Sequence, residues 1–186
     1  IRAMLGLDRI DDGEVFFLNE AGSLSKIKKN ALLKKVGYVT ESRHYDGLFL
    51  DMYITNNCTA AKLESYCSKK LKFVNVNKEV EETRRLIKQL NIKVPNEKTR
   101  ASQLSGGNQQ KVVFAKWLNK GAPVLILDEP TRGVDVGSKM EIYKIIRKIA
   151  ADGTSVLLIS SEVDEMVDLS DRVIVLQDGI IVVSVD

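Results

Sequence analysis

Short apolar runs mark four segments as β-strands. Residues 124–127 and 156–159 each contain four consecutive apolar residues, a pattern typical of strands covered on both faces of a parallel sheet. The β-rich residues 14–18 and 36–39 predict two further strands. Polar turn residues, Asn19-Glu20 among them, bound the first of these. The chain therefore contains the strands of a buried sheet.

Apolar residues that recur every three or four positions predict the helices. The predicted helices cover residues 25–35, 78–90, 106–118, 138–150 and 162–169. Residues able to cap a helix start precede three of them: Asn75 or Asn77, Ser105, and Ser161.

Two more strands, residues 172–176 and 180–185, are joined by Asp178-Gly179, a strong hairpin turn. Strands alternate with helices on both sides of residues 48–100, which are rich in Lys, Asn and Glu and carry no strong strand signal. This order predicts an α/β fold with an inserted helical subdomain.

Composition excludes several classes of protein. The 186 residues are 44% hydrophobic and 28% charged, so they can form a core and are not typical of a disordered chain. No apolar run approaches the roughly 20 residues of a membrane-spanning helix. Two cysteines do not make a disulfide scaffold, so we expect Cys58 and Cys67 to be free thiols in a reducing compartment. The only histidine, His44, excludes a His-rich metal site.

Positive charge is concentrated in one part of the chain. The net charge is +3, but residues 62–100 contain eight Lys and three Arg against five Glu, which gives +6. Such a segment can meet nucleic acid, anionic lipid headgroups or an acidic partner. A solvated helix surface accounts for the same charge and is the favoured interpretation.

The first chemical motif is residues 104–111, Leu-Ser-Gly-Gly-Asn-Gln-Gln-Lys. Glycines let a backbone approach a ligand closely, and the helix that starts here offers free N–H groups and a positive dipole end to a phosphate. Taken alone, Ser-Gly-Gly before a helix is more often a loop and a cap.

The second motif is a buried strand that ends in two adjacent carboxylates. A parallel strand delivers its last residues to the ligand edge of a sheet. A magnesium ion bound to phosphates needs a nearby carboxylate, usually through a water molecule, and Asp128 fits this role. Glu129 fits the role of a base or orienter for an attacking water. A turn that caps the next element is the alternative interpretation.

At this spacing, the two motifs resemble those of the ABC-transporter ATPases. Residues 104–109 match the signature loop, residues 125–130 (Leu-Ile-Leu-Asp-Glu-Pro) match Walker B, and residues 131–137 match the D-loop region. The resemblance implies an ABC ATPase fold, related to the P-loop NTPases, with a RecA-like core and an inserted helical subdomain. It implies that residues 1–47 and 121–186 form the incomplete core with its antiparallel strands, and that residues 48–120 form the helical subdomain.

The family also implies residue roles. Glu129 is expected to be catalytic, Asp128 to hold Mg²⁺ through water, and Asp135 to be the D-loop aspartate or the cap of helix 138–150. In this family the signature loop completes the ATP site of the opposite domain. The signature residues expected to contact ATP in this way are Ser105, Gly106, Gly107 and Gln109.

Residues 108–111, 131–137 and 160–162 narrow the resemblance to the second half of the double ATPases of monosaccharide importers, of the ribose, galactose and xylose type. That family implies ATP and Mg²⁺ as cofactors and a location at the cytoplasmic face of the bacterial membrane. The expected partners are the first ATP-binding domain of the same polypeptide, membrane permease subunits and, indirectly, an extracytoplasmic sugar-binding protein; nucleic acid is not expected.

Other functions stay open at this stage. One alternative is a degenerate half that only completes the partner's ATP site, and another is the ATPase of a nucleoside importer. Two further alternatives are an ABC protein of repair or translation and a non-enzymatic binding module.

Three departures from the family pattern affect the expected activity. No Gly-x-x-x-x-Gly-Lys-Ser/Thr phosphate loop occurs in the sequence, and we expect it upstream of Ile1. Glu41 stands at the Q-loop position, where the family has Gln, although an ordinary exposed Glu is an equal alternative. Ser161 stands at the switch-histidine position and cannot exchange a proton as histidine does.

The 186-residue chain by itself is predicted to bind ATP weakly or not at all, because it lacks the main cradle for the β- and γ-phosphates. Calorimetric titration with MgATP measures this directly, and a micromolar dissociation constant would contradict the prediction.

Overall fold

The computed structural model describes residues 1–18, 22–68 and 73–185. The strands, in chain order, are β1 (Phe16–Leu18), β2 (Leu24–Lys26), β3 (Val36–Val39), β4 (Val124–Asp128), β5 (Ser155–Ile159), β6 (Val173–Gln177) and β7 (Ile180–Val185). The α-helices are α1 (Lys29–Lys35), α2 (Ile54–Thr59), α3 (Val76–Gln89), α4 (Gly106–Lys120), α5 (Val136–Ala151) and α6 (Val163–Leu169). Shorter helical turns, of the π and 3-10 types, occupy 43–47, 60–66 and 101–103.

The central sheet has the order β3-β4-β5, and both of its strand pairs are parallel. Leu125, Ile126 and Leu127 of the middle strand are buried, which confirms the prediction for residues 124–127. The same prediction for residues 156–159 is wrong: among the described strands β5 pairs only with β4, its residues are at most partly buried, and Leu157 is 42% exposed. Asp128 pairs in register with Ile159, so the strands end at the same edge of the sheet. That edge is where an open α/β sheet places its ligands.

One hydrophobic core joins this sheet to the helical segment between β3 and β4. Val39 and Leu127 of the sheet, Ile54 of α2 and Phe114 of α4 are all 0% exposed and belong to the same cluster. Helix α4 is buried on most of its surface, because it lies between the sheet and α2. Gly121, in the left-handed conformation (φ 70°), ends α4.

The start of the chain corrects one predicted element. The helix predicted over 25–35 begins only at Lys29, because Leu24–Lys26 forms the antiparallel strand β2 with Phe16–Leu18. The turn predicted at Asn19-Glu20 lies outside the described residues. This pairing is a tertiary contact that the local helical periodicity does not reveal.

Helix capping agrees with the sequence at some positions and corrects it at others. Asn75 accepts a hydrogen bond from the Lys78 backbone N–H, as predicted for α3. Ser161 does not cap α6, because that helix begins one residue later and Glu162 occupies the cap position. Ser105 occupies the cap position of α4, but its hydroxyl accepts from the side chain of Asn108 instead of the helix backbone.

The last two strands form the predicted hairpin around Asp178-Gly179, both in the left-handed conformation. This ribbon is a sheet of its own, and apolar side chains of both strands, such as Ile174 and Ile181, are exposed. Cys58 is buried, and both cysteines are free thiols, as expected. Among the described residues, no helix combines the length and apolar character needed to cross a membrane.

A buried lysine in α4 makes stability depend on pH. The Nζ of Lys116 donates to the Gly47 carbonyl at 2.6 Å, and burial lowers the pKa of this lysine to about 8. The unfolded chain, with an ordinary lysine pKa of about 10.5, therefore keeps a proton that the folded chain has already released above about pH 8.

We predict that wild-type stability rises with pH relative to a Lys116→Met variant. The difference in unfolding free energy should move by about 2 kcal/mol in favour of the wild type between about pH 7.5 and about pH 9.5. Urea titrations of both proteins across this range measure the shift. The exposed Lys148→Met variant is the control, and a Lys116→Met difference that stays constant with pH would contradict the prediction.

Candidate functional site

Asp128 is held at the ligand edge of the sheet by the neighbouring strand. The hydroxyl of Tyr38, in β3, donates to Asp128 Oδ2 at 2.8 Å. Burial, reinforced by this hydrogen bond, raises the pKa of Tyr38 to about 12, so the phenol remains a proton donor at neutral pH. Within the described residues, the other oxygen, Oδ1, receives no hydrogen bond and stays available to a ligand.

Glu129 follows directly and adopts an unusual backbone conformation. Its φ is 48°, in the left-handed region that non-glycine residues seldom occupy and that costs about 1–3 kcal/mol. Its backbone N–H donates to the Ile159 carbonyl at 2.9 Å, and its Oε1 accepts from the Ser161 backbone N–H at 2.9 Å. The segment after β5 thus fixes the Glu129 carboxylate, through the backbone of Ser161.

These carboxylates fit a magnesium ion that is bound mainly through a nucleotide. Among the described residues, no three His, Cys, Asp or Glu side chains converge into a metal cage. Magnesium commonly uses one or two protein carboxylates and takes its remaining ligands from phosphates and water. Asp128, whose Oδ1 receives no hydrogen bond from the described residues, can supply that kind of ligand.

The two glycines at the start of α4 have a packing role that the sequence did not reveal. A Cβ added at Gly107 would lie 2.3 Å from Ser138 Oγ, and one added at Gly106 would lie 2.9 Å from Arg43 Nη2. The start of α4 therefore packs against the first turn of α5 and against Arg43. Ser105, just before these glycines, is exposed.

Gln109 lies inside the chain. It is only 6% exposed, and its Nε2 donates to the Ala101 carbonyl at 3.1 Å. Its Oε1 accepts from Arg43 Nε at 3.3 Å and lies 3.0 Å from His44 Nε2. The side chain therefore holds the first turn of α4 in place, and the contact with ATP expected from the signature motif stays a prediction.

Asp135 caps α5, which was one of its two expected roles. Its Oδ1 accepts from the Ser138 backbone N–H at 2.9 Å. Hydrogen bonds from Ser138, and a weaker one from the Gly137 backbone, lower the pKa of this carboxyl. The carboxylate is exposed, so its second role, in the D-loop, stays a prediction.

The Q-loop position is joined to the loop after β4. Glu41 forms an ion pair with Arg132, and both side chains are more than half exposed. The guanidinium of Arg43 donates to the Arg132 carbonyl at 3.0 Å and to the Gly133 carbonyl at 3.3 Å. Neither arginine stands out in the sequence, because their partners are about 90 residues away.

A buried carboxylate also holds the loop that follows β4. Glu165 of α6 is 0% exposed, and its Oε1 accepts from Thr131 Oγ1 at 2.9 Å. Its Oε2 has no partner among the described residues. The loop after Glu129 is therefore anchored from two sides.

The predicted site residues form two groups. Asp128, Glu129 and the backbone of Ser161 meet at the sheet edge, together with Tyr38. Ser105, Gly106, Gly107 and Asp135 lie around the adjoining starts of α4 and α5. Glu41 contacts the loop between the two groups.

Comparison with known proteins identifies the family. A family model described as "ABC transporter" matches residues 1–132. The chain belongs to the ABC transporter family.

The curated relatives of this chain include sugar-import proteins. It is 45% identical over 181 residues to the ribose import ATP-binding protein RbsA of Bacillus subtilis (strain 168), covering 96% of this chain and 36% of that protein. It is 40% identical over 182 residues to the galactose/methyl galactoside import ATP-binding protein MglA of Clostridium tetani, covering 96% and 35%. The chain therefore spans about a third of these relatives.

Solved structures confirm the fold predicted from the sequence. A dimeric ATP-binding cassette in a post-hydrolysis state, bound to ADP and Pi, gives a TM-score of 0.75 at 21% identity, covering 98% of this chain and 77% of that one. A nucleotide-free cassette from an ABC transporter gives 0.75 at 19% identity, covering 98% and 73%. Both likenesses show the ABC ATPase fold.

The contact between Gly107 and Ser138 generates a stability prediction. Gly107→Ala should lower the unfolding free energy by about 1–3 kcal/mol, because its methyl group overlaps the Ser138 side chain. In a Ser138→Gly background the same change should be neutral or stabilising, since alanine is favoured over glycine in helices by about 1 kcal/mol.

Denaturant titration of the four proteins of this double-mutant cycle provides the measurement. Ser138→Ala is the matched control, because it keeps the Cβ that Gly107→Ala would meet and should not relieve the cost. Equal effects of Gly107→Ala in the wild-type and Ser138→Gly backgrounds would contradict the prediction.

Proposed function

We propose that this chain is the second ATP-binding domain of a double ATPase that energises sugar import by an ABC transporter. The observation that carries the proposal is the 45% identity, over 96% of this chain, to a ribose import ATP-binding protein. The geometry supports it, because Asp128 and Glu129 meet at the ligand edge of a parallel sheet. The proposed division into a core, residues 1–47 and 121–186, and a helical subdomain, residues 48–120, belongs to this function.

Each site residue receives a role within the proposal. MgATP, when bound, supplies the γ-phosphate as electrophile and a metal that neutralises its developing charge. Asp128 would help to hold this metal, and the hydroxyl of Tyr38 fixes its carboxylate through Oδ2. Glu129 accepts a proton from, or orients, the attacking water, and the Ser161 N–H aims its carboxylate.

The signature residues serve the opposite domain. Ser105, Gly106 and Gly107 present a hydroxyl and helix-start N–H groups to a phosphate, and Asp135 approaches the same interface from the start of α5. Gln109 takes part through the position of this loop, because its own amide is bonded within the chain.

The partners in this proposal are the first ATP-binding domain of the same polypeptide, membrane permease subunits and, indirectly, an extracytoplasmic sugar-binding protein. The assembly lies at the cytoplasmic face of the membrane. Co-purification of the polypeptide with a permease tests the assembly. Uptake of labelled ribose against labelled nucleoside separates sugar import from the nucleoside alternative.

A second candidate function is favoured by Glu41 and Ser161. An acidic side chain paired to Arg132 stands at the Q-loop position, and a serine stands at the switch-histidine position. Both residues fit a site that turns over slowly. In this second candidate function, the chain mainly contributes its signature loop to a competent ATP site on the partner domain.

The two versions differ in how the ATPase rate responds to mutation. If this half mainly completes the partner's site, Ser105→Ala should lower total ATPase activity on the order of a hundredfold, the cost of losing one positioned donor. Glu129→Gln should change the total rate little, although loss of a general base costs about 10²–10⁴ at a competent site.

Steady-state ATPase assays of the full transporter compare these variants. Ser102→Ala is the matched control, since Ser102 is an exposed serine three residues earlier in the chain whose backbone hydrogen bond does not need the hydroxyl. Equal losses for Ser105→Ala and Glu129→Gln, or a larger loss for Glu129→Gln, would exclude this asymmetry.

A further inference from the structure

Arg43 lies where three distant parts of the sequence meet. Its Nε donates to Gln109 in the first turn of α4, and its two terminal nitrogens donate to the carbonyls of Arg132 and Gly133 after β4. One side chain thus bridges the signature loop and the segment that leads to Asp135. The described residues offer no other side chain that bonds to both.

The two loops that Arg43 bridges also contact each other. A Cβ added at Gly106 would lie 3.4 Å from the Gly133 carbonyl oxygen and 2.9 Å from Arg43 Nη2. The signature glycine therefore leaves room for the guanidinium. Gly133, with a φ of 67°, adopts the left-handed conformation that glycine readily allows, and its carbonyl accepts from Arg43.

Only arginine has the geometry for this position. Its planar guanidinium presents donors in a fixed fork, whereas lysine has one compact ammonium on a flexible stem. Three acceptors on two loops can be held at once by the fork. The Glu41–Arg132 ion pair lies beside this bridge, but both partners are exposed, and such pairs contribute little.

We propose that Arg43 is a positioning residue that holds the start of α4 against the loop after β4, so that Ser105 and Asp135 meet the opposite domain's nucleotide in one fixed arrangement. The inference rests on the proposed function. Positioning matters here because a displacement of about 1 Å at a reacting group costs on the order of a hundredfold in rate.

The proposal makes a specific kinetic prediction for Arg43→Lys in the full double ATPase with its permease. Under the proposed function, the bridged loops complete the opposite domain's ATP site when the two domains close, so the loss of their fixed arrangement falls on the reacting state more than on ATP binding. We therefore expect kcat to fall by about tenfold or more while KM for ATP stays within about twofold.

Hydrogen exchange of the full double ATPase, measured without nucleotide, tests the bridge independently of ATPase activity. In Arg43→Lys, the hydrogen-bonded backbone amides of Gln109, Arg132 and Val134 should exchange about tenfold faster, because local opening of these two loops costs less. Amides of β4 and β5 should keep their wild-type rates, which shows that the variant is folded.

Arg147→Lys is the matched control for both measurements. Arg147 also donates to a backbone carbonyl, that of Asp168 at 2.8 Å, but it lies near the end of α5, whereas the signature loop contacts the first turn of that helix. It should leave kcat, KM and the exchange of both loops unchanged.

The outcomes separate the two proposals. The role of Arg43 is overturned if Arg43→Lys keeps the wild-type kcat or changes only KM. It is also overturned if the amides of both loops exchange at wild-type rates. If the wild-type assembly hydrolyses no ATP at all, the proposed function fails. The exchange experiment then still decides whether Arg43 holds the two loops together.

Discussion

The parallel pairing of β4 between β3 and β5 is the constraint on which the site depends. Because β4 is buried on both faces, its only polar side chain is at its end, where Asp128 reaches the sheet edge. The same pairing brings Tyr38 and Ser161 to that edge from strands separated by long stretches of sequence. Each carboxylate is consequently held by a hydrogen bond, either from a neighbouring strand or from the loop that follows one. Neither carboxylate has to become ordered when a ligand binds.

Helix α4 begins with the second group of predicted site residues, and it packs against several elements at once. It contacts the sheet, α2 and the first turn of α5, so its start can approach other backbone only where side chains are absent. Gly106 and Gly107 meet that condition. Glycines that in sequence indicate phosphate contact are thus also required by the packing of α4 against Ser138 and Arg43. The two explanations are compatible, since close packing leaves Ser105 exposed at the tip.

Much of the fold was predictable from local patterns, and the reasons are specific. The apolar run of β4 predicts a buried parallel strand because only such a strand loses contact with water on both faces. Asn75 predicts the start of α3 because a side-chain acceptor satisfies a free helix N–H. The predictions were wrong where a contact competes with a local preference: residues 25–26 pair with β1 instead of beginning α1, and Glu162, not Ser161, precedes α6.

The sequence by itself determined the sheet strands, the main helices and the placing of Asp128 and Glu129 at a strand end, because burial and helical periodicity act over a few neighbouring residues. Only the tertiary structure decided which groups hold those carboxylates, why Gln109 is internal, and that Arg43 spans two loops. Those contacts join residues about 30 to 90 positions apart. No local pattern contains them, because they exist only once the sheet and α4 have packed together.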